Sequence, residues 1–292
     1  VFSFFSFKNF QINTLFSLLN NINYSIIALA IFLLIFSVYL RAIRWKLLFN
    51  SNNIKTRSLF DAELIGYFGN NIFPLRFGEF LRCIIVSENY KISKTYIFGT
   101  VILERLLDML GVIFVSIFLL ILNYSILIDF ILEFNLLYVF ILIPFILFFS
   151  NKLYFFKIFF KNKFMKNIID GISGINKENI LFIILYTLLI WSIYIIEVYL
   201  IQSSIQLNLN FSECIFLLII STFALSIPSS PANIGTFEFS IIFGMSTLGL
   251  YIDNQDLVIS FSVLLHALTF IPYTILGGML FIQNNYLINS NR

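Results

Sequence analysis

The chain has 292 residues, 60% of them hydrophobic and 11% charged, and its mean hydropathy is +0.95. A soluble domain of this size carries roughly 25% charged residues, so this charge cannot coat a globular surface and the solvent must largely be lipid. A net charge of +3, with no run of like charges, argues against a nucleic-acid partner, and Cys83 and Cys214 lack metal-ligand spacing.

In chain order, 1–7 reads as the tail of an apolar segment and begins with Val1, so a spanning helix is expected ahead of residue 1. A bilayer core needs about 20 apolar residues to cross as helix, which predicts a span at 24–45. Arg41, Arg44 and Trp45 at its end read as an interfacial anchor. The next apolar stretch, 59–86, is interrupted by Asn70-Asn71-Ile72-Phe73-Pro74-Leu75-Arg76-Phe77-Gly78-Glu79, with Arg82 just beyond. Spans follow at 96–122 and 131–150, then a connection at 151–178 rich in lysine, then a span at 180–202. A second interrupted stretch, 213–250, contains Pro228-Ser229-Ser230-Pro231-Ala232-Asn233-Ile234-Gly235-Thr236-Phe237-Glu238, and 257–282 is the last span.

Proline and glycine break helices, and a break at membrane depth persists only where protein or a water-filled cavity surrounds it. Paired breaks in two parts of a transporter are the best sequence pointer to a binding site. Loop charge gives the direction, because Lys and Arg concentrate on the cytoplasmic side. Arg57, Lys91, Lys94 and the lysines of 151–178 then lie inside, whereas 203–212 holds no charge and 251–256 only Asp253 and Asp256. Both ends of 59–86 fall inside and both ends of 213–250 outside, so each reads as a re-entrant hairpin, entering from opposite faces. Pro74 and Pro231 are 157 residues apart, as are Gly78 and Gly235. The same offset carries span 24–45 to 181–202 and span 96–122 to 253–279. The expected fold is all-α: a polytopic transmembrane bundle with two broken-helix hairpins in an inverted-topology repeat. It forms a single domain over 1–292, with half A at about 24–122, a linking helix at 131–150, the basic connection at 151–178 and half B at about 180–282.

Ionisable residues within spans cost roughly 2.5–3.5 kcal/mol each on insertion scales, so those retained need partners or a cavity. Glu104 and Asp108 share a helical face at i,i+4, with Arg105 beside them. They either bind a neighbouring helix or form a polar wall facing the first hairpin, where Arg76 and Arg82 offer the missing positive charge. Guanidinium suits phosphate because it donates two parallel hydrogen bonds, so Arg76 and Arg82 can receive an anionic headgroup, with Glu79 either holding one of them or contacting a cationic headgroup. In the second hairpin, Ser229, Ser230 and Asn233 are neutral donors, and a helix starting after Pro231 would aim its positive end into the membrane. Glu238 lines the route or pairs with Arg41, Arg44 or His266; His266 is a satisfied packing residue or a proton carrier that lines the outer route. Glu197 can snorkel. No hydrolase or phosphate-loop motif is present.

These motifs resemble the transmembrane, flippase-like region of lysylphosphatidylglycerol synthases and its stand-alone relatives. The resemblance rests on Arg41-x-x-Arg44-Trp45, Gly66-Tyr67, Asn70-Asn71, Pro74-x-Arg76-x-Gly78-Glu79-x-x-Arg82, Glu104-Arg105-x-x-Asp108, Pro228-x-x-Pro231, Gly235, Glu238 and His266. It covers about 24–282. The family usually has glycine directly after the second proline, where this chain has Ala232 and Asn233. The resemblance implies a membrane protein that moves a lipid or lipid-linked headgroup between leaflets, without a cofactor. In bifunctional relatives a soluble domain aminoacylates phosphatidylglycerol; the 292 residues hold no such domain, so a stand-alone member is expected. The leading function is therefore a flippase-like transporter of the plasma or inner membrane with a cytoplasmic C-terminus. Its partners would be an anionic phospholipid or a polyprenyl-linked lipid. The alternatives are a membrane transferase acting on a lipid phosphate with Glu104 or Asp108 as base, and a non-catalytic partner of a separate lipid-modifying enzyme.

Overall fold

The structure, a computed structural model, describes residues 12–49, 53–74, 76–133, 163–226, 230–250 and 255–290. Among these residues every regular element is helical. Most of the expected linking helix 131–150, much of the connection 151–178, and Pro228 and Ser229 lie outside them.

Helix α1 (Ile12–Asn21) precedes α2 (Tyr24–Lys46). Asn23 caps α2, its side-chain oxygen accepting the N–H groups of Ser25 and Ile26 at 3.1 and 3.3 Å. Arg44 and Lys46 occupy the last turn, where the helix dipole favours positive charge. Helix α3 (Thr56–Ile72) stops at Phe73, which is extended because the ring of Pro74 crowds the preceding residue out of helical geometry. Helix α4 (Gly78–Tyr90) follows, then α5 (Lys94–Leu122) and α6 (Tyr124–Glu133). Helix α7 (Lys163–Ile172) lies in the stretch read as a basic connection, and it packs on α5. Its approach is close, since a Cβ on Gly99 of α5 would stand 2.2 Å from the Ile168 carbonyl oxygen. Neither α1 nor α7 was expected from the sequence. Helix α8 (Ile180–Ser204) leads to α9 (Phe211–Ser226), the single turn Pro231–Asn233, α10 (Thr236–Thr247) and α11 (Gln255–Ser290).

Four helices are long and apolar enough to cross a bilayer: α2, α5, α8 with the turn before it, and α11 over Gln255–Gln283. The limbs of the broken pairs, with 17 and 13 residues in α3 and α4 and 16 and 12 in α9 and α10, fall short of the 20 or so that a crossing needs. Large apolar side chains such as Phe32, Ile121 and Leu181 stand exposed on the long helices, as lipid-facing surface requires. The chain is a multi-pass membrane protein.

Contacts fix the helix directions. Asn23 N–H meets the Ser204 carbonyl at 3.0 Å at one end of α2, while Arg44 meets Thr187 at 3.2 Å near the other. Helices α2 and α8 are therefore antiparallel. Limbs α3 and α4 are antiparallel too: Gly66 faces Arg82 while Gly69 faces Gly78 and Leu81. A shift of 157 residues carries α2, α3, α4 and α5 onto α8, α9, α10 and α11. Neighbours follow the same exchange, with α3 packed on α11 and α9 on α5.

Candidate functional site

The inner charges are gathered by α2, α3, α4 and α5. Arg41 and Arg44 are one turn apart on α2; Glu104 and Asp108 are one turn apart on α5, which lies antiparallel to α2. The two faces meet as a ladder. Arg44 Nη2 reaches Asp108 Oδ1 at 2.7 Å and Glu104 Oε1 at 3.4 Å. Arg41 Nη2 bonds Glu104 Oε1 and reaches Asp108 Oδ2 at 3.2 Å. Arg82 Nη1, from α4, bridges Glu104 Oε2 at 2.9 Å and Glu63 Oε1 at 2.6 Å. Its guanidinium carbon stands 4.8 Å from the Trp45 ring centre, and the Trp45 indole donates to Thr100 Oγ1 at 2.9 Å.

This arrangement corrects the reading of Arg41, Arg44 and Trp45 as an interfacial anchor. All three are buried, the last two fully. Ion pairing across α2 and α5 replaces solvation by headgroups and offsets the burial of each charge. Glu63, absent from the sequence reading, completes the set. A signal existed: Glu63, Gly66 and Asn70 recur at helical spacing, and all three line one small cavity.

Arg76 and Arg82 part company. Arg82 is committed to two carboxylates, whereas Arg76 is about one-third exposed and stands only 3.9 Å from Glu79. Arg105, similarly exposed, holds Glu79 Oε1 at 3.2 Å and Asp108 Oδ2 at 3.3 Å. Five guanidiniums (41, 44, 76, 82, 105) thus meet four carboxylates (63, 79, 104, 108), leaving one positive charge in excess. Glu104 and Asp108 spend their oxygens on guanidiniums, so neither is free to act as a base. Arg82, Glu79 and Arg105 border a cavity of about 10 Å³, also lined by Tyr67, which is room for about one water molecule. Arg82 Nη2 and Nε and Asn70 Oδ1 are buried without a protein partner.

The first break is pinned to the second half. Arg76, in left-handed geometry (φ 55°), donates through Nη2 to the carbonyl of Leu225 near the end of α9. Asn71 donates through Nδ2 to Thr274 Oγ1 at 2.8 Å and to the Phe270 carbonyl at 3.3 Å, both on α11. Helix α3 also touches the turn Pro231–Asn233. The tips of the two broken pairs therefore meet.

In the second break, Ala232 and Asn233 both adopt left-handed geometry, at φ 57° and 59°, and Gly235 lies at φ 88°. The turn forms without the family's usual glycine. Glu238 Oε2 accepts the Gly235 N–H at 2.7 Å, so the positive end of α10 is filled by the chain's own carboxylate. Of its three candidate partners, Glu238 takes His266, with Nδ1 at 2.6 Å from Oε1. Glu197 is buried in α8 rather than placed to snorkel. Glu238 and His266 thus pair with each other rather than join the ladder, which the sequence-predicted residues Glu79, Arg82, Glu104, Arg105 and Asp108 do form.

No match is found among curated proteins or among solved structures. The model of the family described as the lysylphosphatidylglycerol synthase TM region matches residues 1–277 of the 292. With a match over nearly its whole length, the chain belongs to that family.

Proposed function

We propose that the protein is a flippase-like transporter that moves a phospholipid or lipid-linked headgroup between leaflets. Family membership supports a role in lipid handling. The observation that carries the finer reading is the single surplus positive charge where two helix breaks meet. Arg76 and Arg105 are its accessible members, and the weak 3.9 Å pairing of Arg76 with Glu79 leaves the N–H groups that the Leu225 carbonyl does not take available to a phosphate. Arg82, Arg41 and Arg44 form a supporting layer that fixes α2, α4 and α5 around the site. This assignment shifts headgroup capture from Arg82 towards Arg105. A water-sized cavity cannot hold a headgroup, so the described arrangement is a closed one, and the halves rock apart to admit lipid. Loop charge supports a cytoplasmic side for the ladder, in the plasma or inner membrane.

Leaflet exchange of fluorescent anionic lipids in proteoliposomes tests this reading. Arg76→Ala should slow exchange roughly tenfold or more, the worth of a charge-assisted hydrogen bond, and Arg105→Ala should do the same. Exchange at the wild-type rate in both variants, for every anionic lipid offered, would overturn the site.

A further inference from the structure

His266, the single histidine of the chain, is gripped at both ring nitrogens. Nε2 lies 3.0 Å from the Ala232 carbonyl oxygen and Nδ1 lies 2.6 Å from Glu238 Oε1. A carbonyl oxygen only accepts, so Nε2 carries a hydrogen. The second contact then needs a proton of its own. It is either an imidazolium donating to a carboxylate or a carboxylic acid donating to a neutral imidazole; without it, a ring lone pair would face a carboxylate at 2.6 Å. Glu238 is meanwhile bound to the break through Gly235, and Ala232 belongs to the break itself. His266 is therefore the tie between the second break and α11.

The surroundings isolate this pair. The ring stacks on Phe237 of α10 at 4.7 Å and meets Phe270 edge-on at 5.9 Å. Glu238 is the only titratable residue on α10, and α1 has none. From the other helices against α11, Tyr67 of α3 and Tyr194 and Glu197 of α8 approach it. They gather around Tyr273, two turns along, with Arg41 of α2 beyond Tyr67. No described residue but Glu238 offers the ring a charge at bonding distance.

We propose that the Glu238–His266 pair is the proton-binding site of the transport cycle, a latch that one shared proton holds shut. This rests on the transport reading and adds the coupling ion to it. On opening, the proton between Nδ1 and Oε1 passes to water, Nε2 keeps its hydrogen, and the pair goes from neutral to a single negative charge. Two acceptors then face each other and the ring leaves Ala232. Ala232, left-handed and so conformationally costly, relaxes once released. The freed break adjoins Leu225, the carbonyl that Arg76 holds, so the latch sits beside the tie between the halves.

Because the histidine is unique, ¹⁵N-histidine labelling gives one imidazole to follow by nuclear magnetic resonance in lipid nanodiscs between about pH 5 and pH 8. The ring should change state in one step from proton-sharing to a neutral form protonated at Nε2. The protection of the amides of 235–239 against hydrogen exchange, taken relative to the intrinsic rate at each pH, should fall at least tenfold across the same step, and leaflet exchange should share its midpoint. Glu238→Gln supplies an amide N–H for Nδ1 without any extra proton, so ring signal and amide protection should stay flat with pH. A wild-type ring that never changes state, or amide protection that still steps in Glu238→Gln, overturns the latch. Latch behaviour without exchange of any lipid would instead overturn the transport reading and leave the latch supported.

Discussion

Glu104 receives three guanidiniums, Arg41 and Arg44 from α2 and Arg82 from α4, and is wholly buried. Glu79 bridges Arg76 and Arg105 at the edge of the same cluster and keeps contact with solvent. Both are glutamates with two cationic neighbours or more, yet their worth differs because removing one partner of a buried pair strands the other charge. Glu104→Gln should therefore lower stability by about 3–5 kcal/mol, read as a fall in the unfolding midpoint in detergent or as loss of folded protein. Glu79→Gln should cost under about 1 kcal/mol, as for exposed pairs. Equal losses in the two variants would mean that the ladder does not hold α2 against α5. Neither effect was legible in the sequence. Arg and Trp at the end of an apolar span have the same composition whether they snorkel to headgroups or turn inward, and what turns Arg41 and Arg44 inward lies 60 residues and more away on α5.

The broken pairs test what helix breakers do at this depth. Gly78 is bound to be glycine by proximity: a Cβ there would lie 1.8 Å from the Gly66 carbonyl oxygen. Gly78→Ala must push α3 from α4 and drag Arg82 off Glu63, so a loss of more than about 2 kcal/mol is expected, within the cost of overpacking. Ala232 presents the opposite case, a side chain in left-handed geometry where glycine would sit without strain. Ala232→Gly should stabilise the protein by about 1 kcal/mol, seen as a higher unfolding midpoint; a lower one would mean that its buried methyl matters more than its backbone. The positions of these breaks were legible because proline, glycine and their common offset of 157 residues are features of one dimension. Their occupants were not. Glu238 was open between three partners until the fold brought α11 beside α10, and α1 and α7 were hidden because short polar-and-apolar segments read alike as loop or helix.

At the scale of the molecule, α2 and α8, related by the shift of 157 residues, run antiparallel, which supports the proposal of two halves opposite in direction, and the contacts of α3 with α11 and of α9 with α5 interlock them. Lipid-facing apolar side chains surround an interior that holds buried charged groups, Arg41, Arg44, Glu63, Arg82 and Glu104 among them, the reverse of a soluble protein. Such a body has only one consistent placement if loop charge orients it: the α4–α5 connection inside, the α8–α9 connection outside. Single cysteines test this directly, because native Cys83 and Cys214 are buried and should not react. Lys94→Cys and Asn210→Cys replace residues exposed at the two connections. A membrane-impermeant thiol reagent applied to intact cells should label Asn210→Cys and spare Lys94→Cys, and both should react once the membrane is opened. Labelling of both, or of neither, in intact cells would place the two connections on one side. That outcome is incompatible with one long helix, α8, and the short ends around it separating them, so the inverted relation of the halves across the bilayer would fall with it.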